Sequence, residues 1–283
     1  MNTVTLLCSC TDRTGIVAAL TSFVAEYGGN IIDLDQHTDN ASKQFFMRLV
    51  WDITSSRLSR EDLPSAVSLV AKKFDHMRWS LHFHAPLPRI AILASTTPHC
   101  LADLLLRHQM GELRGDMAMV VANHEDLREL SEHFKVPFHF IPVGNGDKKE
   151  AERRQLELLR ENNIDLVVLA RYMQILSPEF VEEWQGRIIN IHHSFLPAFI
   201  GARPYHQAKA RGVKIIGATA HYVTADLDQG PIIVQDVTTV SHRDEVEDLI
   251  RKGRDIERQV LGEAVRLHLE RKVLVSDNRT IVF

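Results

Sequence analysis

Cysteine is scarce: Cys8, Cys10 and Cys100 are the only three in 283 residues. An odd, small number at unrelated positions argues against a disulfide framework and suits a reducing compartment. Cys8 and Cys10 have one residue between them and no second ligand pair nearby. Zinc is therefore disfavoured, and the pair reads as two small residues on one face of a strand. Long hydrophobic runs are also missing. None approaches the ~18 residues of a membrane span, and Thr3 to Leu7 is too short, and too soon followed by Asp12 and Arg13, for a secretory leader. The expected location is cytoplasmic, with no membrane partner. Nor is there an excess of positive charge. Lys and Arg number 33 against 37 Asp and Glu, a net charge of -4, so nothing global draws the chain to nucleic acid. An anionic ligand has to be met by local groups. What is present is ordinary for a soluble globular protein: 45% hydrophobic and 25% charged residues, enough chain for one large domain or two smaller ones. No internal repeat or low-complexity segment occurs.

Residues 1 to 85 read as a unit. Val4 to Cys10 is a short apolar strand, followed by a polar loop. Ile16 to Tyr27 has helical spacing, with Ile16, Leu20, Phe23 and Val24 on one face, and Gly28-Gly29-Asn30 stops it. Ile31 to Gln36 and Gln44 to Trp51 read as strands about a turn at residues 39–42. Leu63 to Phe74 is helical and Trp79 to Phe83 a closing strand. The order βαββαβ is the ferredoxin-like arrangement. The run Cys10-Thr11-Asp12-Arg13-Thr14-Gly15-Ile16-Val17, with Gly28-Gly29-Asn30-Ile31 after the helix, resembles an ACT domain. That resemblance implies a small ligand, often an amino acid, bound between paired copies. Asp12, Arg13, Thr14, Gly15, Ile16 and Asn30 are then the expected effector contacts. A loop ahead of a helix presents N–H groups that suit a carboxylate, though the same loop also serves dimer packing alone. Residues 84–89, with two prolines, form a stiff linker and place the boundary between domains 1–85 and 86–283.

The second domain alternates. Strands are expected at Ile90 to Ala94, Met117 to Ala122, Phe138 to Pro142 and Asp165 to Ala170. Helices are expected at Cys100 to Arg107, Glu125 to Phe134 and Lys148 to Asn162. Continuous apolar strands are buried on both faces, as in parallel sheets. The fold class is therefore α/β, with a Rossmann-like, mostly parallel sheet. The dinucleotide fingerprint is absent, because residues 95–100 contain no glycine, so a nicotinamide cofactor is disfavoured. Glu245 to Leu269 is an amphipathic helix, and Val273 to Val275 with Thr280 to Phe283 form a closing hairpin or edge strands.

Chemistry crowds into residues 189–235. Arg187 to Ile191 is a strand candidate, so Asn190 and His192 project from one side of it, and Ile191 and His193 from the other. An Asn amide can donate to an oxygen that gains negative charge, and His moves protons near neutrality. Asp228, in a glycine-containing turn after the next strand, can reach the same point. Such a trio suits acyl transfer to water or to an amine. A nucleophile elbow is missing around Ser194 and Cys100, which makes a covalent route the weaker reading. A metal hydrolase is a rival on paper, from His192, His193, His206, His221 and Asp228. Adjacent histidines on a strand point apart, however, and no His-Glu-x-x-His spacing exists. Taken singly, His193, His206 and His221 fit satisfied structural roles as well as catalytic ones.

The motif Asn190-Ile191-His192-x-Ser194-x-Leu196-Pro197, with Leu227-Asp228-x-Gly230-Pro231-Ile232-Ile233-x-Gln235, resembles the formyltransferase-fold family that uses 10-formyltetrahydrofolate. The resemblance spans residues 88–283. It implies that Asn190, His192 and Asp228 are the catalytic trio. It also implies that Arg171, Tyr172, Met173, Ile175 and Leu176, with Tyr222, Val223 and Ala225, line a folate pocket through backbone contacts and apolar walls. Two departures narrow it. Relatives acting on a ribonucleotide carry a glycine-rich phosphate loop where this chain has residues 95–100, and they usually have proline where it has His193. The run His192-His193-Ser194-Phe195-Leu196-Pro197-Ala198-Phe199-x-Gly201-Ala202-x-Pro204-Tyr205, after an ACT domain, is similar to the deformylating branch, in which water takes the formyl group. That implies a hydrolase with 10-formyltetrahydrofolate as substrate, no cofactor and no metal, and His193 as a possible catalytic or water-positioning group. It further implies a role in supplying formate to purine synthesis and balancing one-carbon pools. Control by amino acids such as methionine or glycine, and a homo-oligomer, follow from the same resemblance. A transferase with an amine acceptor and a non-catalytic amino-acid sensor are the other readings.

Overall fold

The computed structural model describes residues 2–144, 148–197 and 204–283. Ala198, Phe199, Gly201 and Ala202 of the run quoted above lie outside the described residues. The chain divides into two compact units.

The first unit is built from β1 (Thr3–Thr11), α1 (Ile16–Glu26), β2 (Asn30–Asp39), β3 (Gln44–Asp52), α2 (Leu63–Ala71) and β4 (Arg78–Phe83). Its antiparallel sheet has the order β2-β3-β1-β4, the ferredoxin-like arrangement. Strand alternation turns Val4, Leu6, Cys8 and Cys10 to one face, where they join Ile16, Leu20, Phe23, Leu63 and Val67 of the helices. Burial pushes the Cys8 thiol up to about 12, as befits an inert packing residue. The other face carries Leu7 and Phe46, and these are covered by Leu274, Ile281 and Phe283. Contacts thus assign Arg271–Ser276 and Ile281–Phe283 to the first unit, whereas sequence position places them with the second. The reason is that two apolar side chains on a sheet face need a cover, and the closing hairpin supplies it.

The second unit begins with β5 (Arg89–Ala94), α3 (His99–Gln109), β6 (Asp116–Ala122), α4 (Arg128–His133) and β7 (Phe138–Phe140). It continues through α5 (Lys148–Glu161), β8 (Leu166–Ala170), α6 (Pro178–Glu183), β9 (Ile188–His192) and α7 (Pro204–Arg211). Strands β10 (Ile215–Tyr222) and β11 (Ile232–Thr239), helix α8 (Val246–Leu269) and the hairpin β12 (Val273–Ser276) and β13 (Arg279–Val282) complete the chain. The seven-stranded sheet has the order β11-β10-β9-β8-β5-β6-β7. From β9 to β7 the pairs are parallel, and β8 and the Ile90–Ala94 part of β5 are apolar and buried. Strand β10 runs antiparallel to both β9 and β11; the β10–β11 link contains no crossover helix, whereas α7 lies in the β9–β10 link. Helix α8 packs across β9, β10 and β11 and against α3 and α7. Several elements are shorter than their spacing predicts, among them α2, which stops at Ala71 and not at Phe74. Glu125 and Asp126 form a turn before α4, and β7 ends before Pro142, whose nitrogen cannot donate to a ladder.

Candidate active site

The site grows from β9. Cross-strand register places His221 opposite Asn190, Thr219 opposite His192 and Gln235 opposite Thr219, so these side chains share one sheet face. That face is buried and polar, and each group on it is hydrogen-bonded. Thr219 Oγ1 donates to the Ser194 carbonyl at 2.9 Å and accepts from the Leu196 N–H at 3.1 Å. Gln235 Nε2 donates to the Leu196 carbonyl at 3.0 Å and to Thr219 Oγ1 at 2.9 Å. The segment after His192 is thereby pinned to the sheet.

His221 fixes Asn190. His221 Nδ1 lies 2.9 Å from the Tyr222 carbonyl, which can only accept, so Nδ1 carries the hydrogen. Burial lowers the pKa of His221 and keeps the ring neutral, leaving Nε2 as an acceptor. Asn190 Nδ2 donates to it at 3.3 Å. The amide orientation is then set, and its second N–H is available to a ligand. Residue type alone cannot reveal this role for His221; its register opposite Asn190 does.

The loop at residues 223–231 returns Asp228 to β9. Asp228 sits in left-handed backbone at φ 56, a conformation Asp tolerates better than most residues. Its Oδ2 is 3.2 Å from His192 Nδ1, and its Oδ1 is 3.8 Å from His221 Nε2. The hydrogen bond from His192, helped by the nearby imidazoles and opposed by burial, holds the Asp228 carboxyl below the usual range. His192 Nε2 is buried with no hydrogen-bond partner among the described residues. Gly230 closes the loop: a Cβ there would meet the Tyr222 carbonyl oxygen at 1.8 Å. Gly230→Ala must open this turn and displace Asp228. Its expected effect is a kcat about 10²-fold lower together with a lower melting temperature, read by initial rates and thermal denaturation.

Asn190, His192 and Asp228 open onto a cavity of about 610 Å³. Of the expected pocket residues, Arg171, Tyr172, Met173 and Ile175 line it. Leu176, Tyr222, Val223 and Ala225 lie outside its wall. Leu176 is buried in the core, the Tyr222 hydroxyl pairs with His268 Nδ1 at 2.8 Å, Val223 packs against the core, and Ala225 is exposed on the loop. Arg171 and Met173 both have left-handed backbone, at φ 62 and 59, where the chain leaves β8.

His193 does not point away from His192 as strand alternation predicts. Strand β9 ends at His192, the alternation ends with it, and the two rings stack with centroids 5.1 Å apart and planes at 20°. Burial, then the charges of Arg171 and His192, push the pKa of His193 down to about 4, so it is neutral near pH 7. The unfolded chain takes up a proton as pH falls through the ordinary value of 6.5, while the folded state resists until about 4. Wild type should lose up to about 3 kcal/mol across that window, and His193→Asn should lose less, as measured by denaturant unfolding at stepped pH.

A second polar cluster borders the same cavity and was not signalled by any motif. Glu257 of α8 is 1% exposed. Its Oε1 accepts from the Tyr205 hydroxyl at 2.6 Å and its Oε2 pairs with His99 Nε2 at 2.8 Å. Burial pushes its carboxyl up, but His99, Arg171 and Tyr205 outweigh burial and leave it below the ordinary value. Cys100 lies beside it, and His99, Cys100 and Glu257 form the one group of potential metal ligands among the described residues. Both carboxylate oxygens are already hydrogen-bonded, and burial raises the Cys100 thiol well above its usual range, which favours the protonated form.

The expected effector residues sit in the first unit. Asp12, Arg13, Thr14 and Gly15 are exposed ahead of α1, with Gly15 at φ 93. Ile16 is buried, so only its backbone can face a ligand, and Asn30 is exposed at the start of β2.

Comparison with known proteins follows this layout. The Formyl transferase family model matches residues 88–265, which include every residue of the cavity wall, and the ACT domain model matches residues 4–61. A formyltetrahydrofolate deformylase from Synechocystis is 54% identical over 99% of this chain and 98% of its own length. The chain belongs to the formyltetrahydrofolate deformylase family. It is therefore an enzyme, of the hydrolase class. A Bacillus subtilis formyltetrahydrofolate deformylase is 51% identical over 98% of this chain and 93% of its own. The crystal structure of a formyltetrahydrofolate deformylase from Pseudomonas syringae superimposes with a TM-score of 0.96 at 47% identity, covering 100% of this chain and 95% of that one. Among the described residues, no helix is long and apolar enough to cross a membrane.

Proposed function

We propose that the chain hydrolyses 10-formyltetrahydrofolate to formate and tetrahydrofolate, with Asn190, His192 and Asp228 as its catalytic residues. The observation that carries this reading is the His192–Asp228 pair, with His192 Nε2 buried at the cavity and without a hydrogen-bond partner among the described residues. Asp228 accepts from His192 Nδ1, so Nε2 holds the lone pair and acts as the base. It takes a proton from water as the oxygen bonds to the formyl carbon. The second N–H of Asn190 donates to the formyl oxygen as it becomes an oxyanion. Collapse breaks the carbon–nitrogen bond, His192 returns the proton to the leaving nitrogen, and the formic acid formed ionises to formate. His193, neutral and stacked on His192, helps position the water.

The exposed apolar side chains of Met173, Ile175 and Leu227 on the cavity wall support a flat heterocycle as the partner there. No second substrate besides water is needed, and no cofactor or metal enters the scheme. Formate release followed with and without added amines is the test. Formyl transfer to an amine in place of release would make the chain a transferase, and absence of any turnover would leave it a sensor.

The ACT-bearing unit is proposed to regulate this activity through methionine or glycine, in a homo-oligomer. The hydrolase drains a one-carbon donor while supplying formate for purine synthesis, so control has value. The exposed loop Asp12 to Gly15 and the exposed β2 edge, with Ile31, Ile32 and Leu34 partly uncovered, support it. Methionine or glycine should change the initial rate of the wild-type chain, and Asp12→Ala should blunt the response. An unchanged response in that variant would move the effector site elsewhere.

A further inference from the structure

Resting on the hydrolase reading, we propose that Asn278 is a positioning residue for Asp228: the turn of the C-terminal hairpin clips the loop that carries the carboxylate. Residues 223–231 run from β10 to β11 and are fixed at both ends. The Val223 N–H donates to the Ile188 carbonyl at 3.0 Å, and the Tyr222 N–H donates to the Pro231 carbonyl at 3.0 Å. Between these ends the loop bonds to itself, the Gln229 N–H and the Thr224 hydroxyl both donating to the Asp226 carbonyl. Asp228 lies in that span with left-handed backbone, φ 56, a conformation that persists only where the surroundings impose it.

Asn278 supplies an outside contact. Its Nδ2 donates to the Gln229 carbonyl at 3.0 Å, one residue past Asp228. Among the described residues it is the one donor from another element that reaches the backbone between Thr224 and Gly230. Thr280 Oγ1 donates to the Ile232 carbonyl at 2.6 Å, where the loop enters β11. The clip is itself held. Strands β12 and β13 pair with each other, the Phe283 N–H donates to the Lys272 carbonyl at 2.9 Å, and Val273 and Leu274 are buried. Their connection is a two-residue turn, Asp277-Asn278, with Asp277 at φ 54. A donor fixed on such a turn restrains the loop although the bond is exposed. Asn also suits a turn for its backbone alone. Gly and Asp suit it too, and neither offers a side-chain N–H, so they remove the clip and keep the turn.

Two measurements on the full chain test this. In the first, Asn278→Gly and Asn278→Asp should each lower kcat roughly 3- to 10-fold, with KM changed less and the melting temperature near the wild-type value. In the Asp228→Asn background the same substitutions should cost nothing further, because their effect runs through the carboxylate. The second needs no turnover: nitrogen NMR of the chain labelled in its histidine rings, with the His192 signal assigned by its loss in His192→Gln. Wild type should carry the ring hydrogen of His192 on Nδ1, Asp228→Asn should carry it on Nε2, and both Asn278 variants should show a mixture. This second readout decides the role of Asn278 even if wild type releases no formate, a result that would count against the hydrolase reading alone. Wild-type kcat and a wild-type His192 signal in both Asn278 variants would overturn the proposal. An equal loss of kcat with Asp228 intact or replaced would also overturn it, since Asn278 would then act elsewhere than through Asp228.

Discussion

Asp228→Asn lowers kcat by roughly 10²- to 10⁴-fold, the range that a positioned acid–base group contributes, and changes KM little. The carboxylate faces His192 Nδ1 at 3.2 Å and fixes the ring hydrogen there. An amide NH₂ in its place donates to Nδ1, drives the hydrogen to Nε2 and removes the lone pair from the cavity side. The substitution is nearly isosteric, so the fold should survive, and steady-state kinetics beside a melting curve separate the two effects. Acid acts in the same direction. The pairing with His192 lowers the Asp228 pKa, so its stabilisation is complete above the ordinary carboxylate value of 3.8 and is lost as pH falls through the lower folded value. Asp228→Asn should remove that acid-side component. A variant that releases formate at the wild-type rate would end the assignment of Asp228.

Asn190→Ala is the second large effect, about 10²- to 10³-fold in kcat, the usual consequence of losing one oxyanion donor. The donor acts on charge that develops only in the transition state, so KM should change far less than kcat. Its geometry depends on His221, which holds the other amide hydrogen at 3.3 Å. A His221 substitution should therefore lower kcat through Asn190, by less than removal of Asn190 itself, and this separates a positioning role from a catalytic one.

The convergence of Asn190, His192 and Asp228 on one cavity was legible in sequence because they sit at a strand end and in a glycine turn. Asn190 and His192 are two apart on a strand and share a face, and Gly230 marks the tight closure that carries Asp228 back. The parallel core was legible in the unbroken apolar runs of β5 and β8. The reversed strand β10 was not, since an apolar run does not state its direction. Helix α6 escaped notice as well, although Ser177-Pro178 is a helix-start signature, with the Ser177 side chain accepting from the Phe180 N–H. The Glu257 cluster was invisible for a different reason. Glu257 lies on a charged amphipathic helix where acidic residues normally face solvent, and only the packing of α8 against α3 turns it inward to His99. His193 departs from strand alternation because β9 ends at His192.

If water takes the formyl group from 10-formyltetrahydrofolate, the oxygen of water must appear in the formate. The most direct measurement is turnover in water enriched in heavy oxygen, with no amine present, following the mass of the formate and the amount of tetrahydrofolate. One heavy oxygen per formate, one tetrahydrofolate per formate, and loss of both signals in Asp228→Asn are the expected results. Formate without the heavy oxygen, or a formyl group retained until an amine is supplied, would contradict hydrolysis.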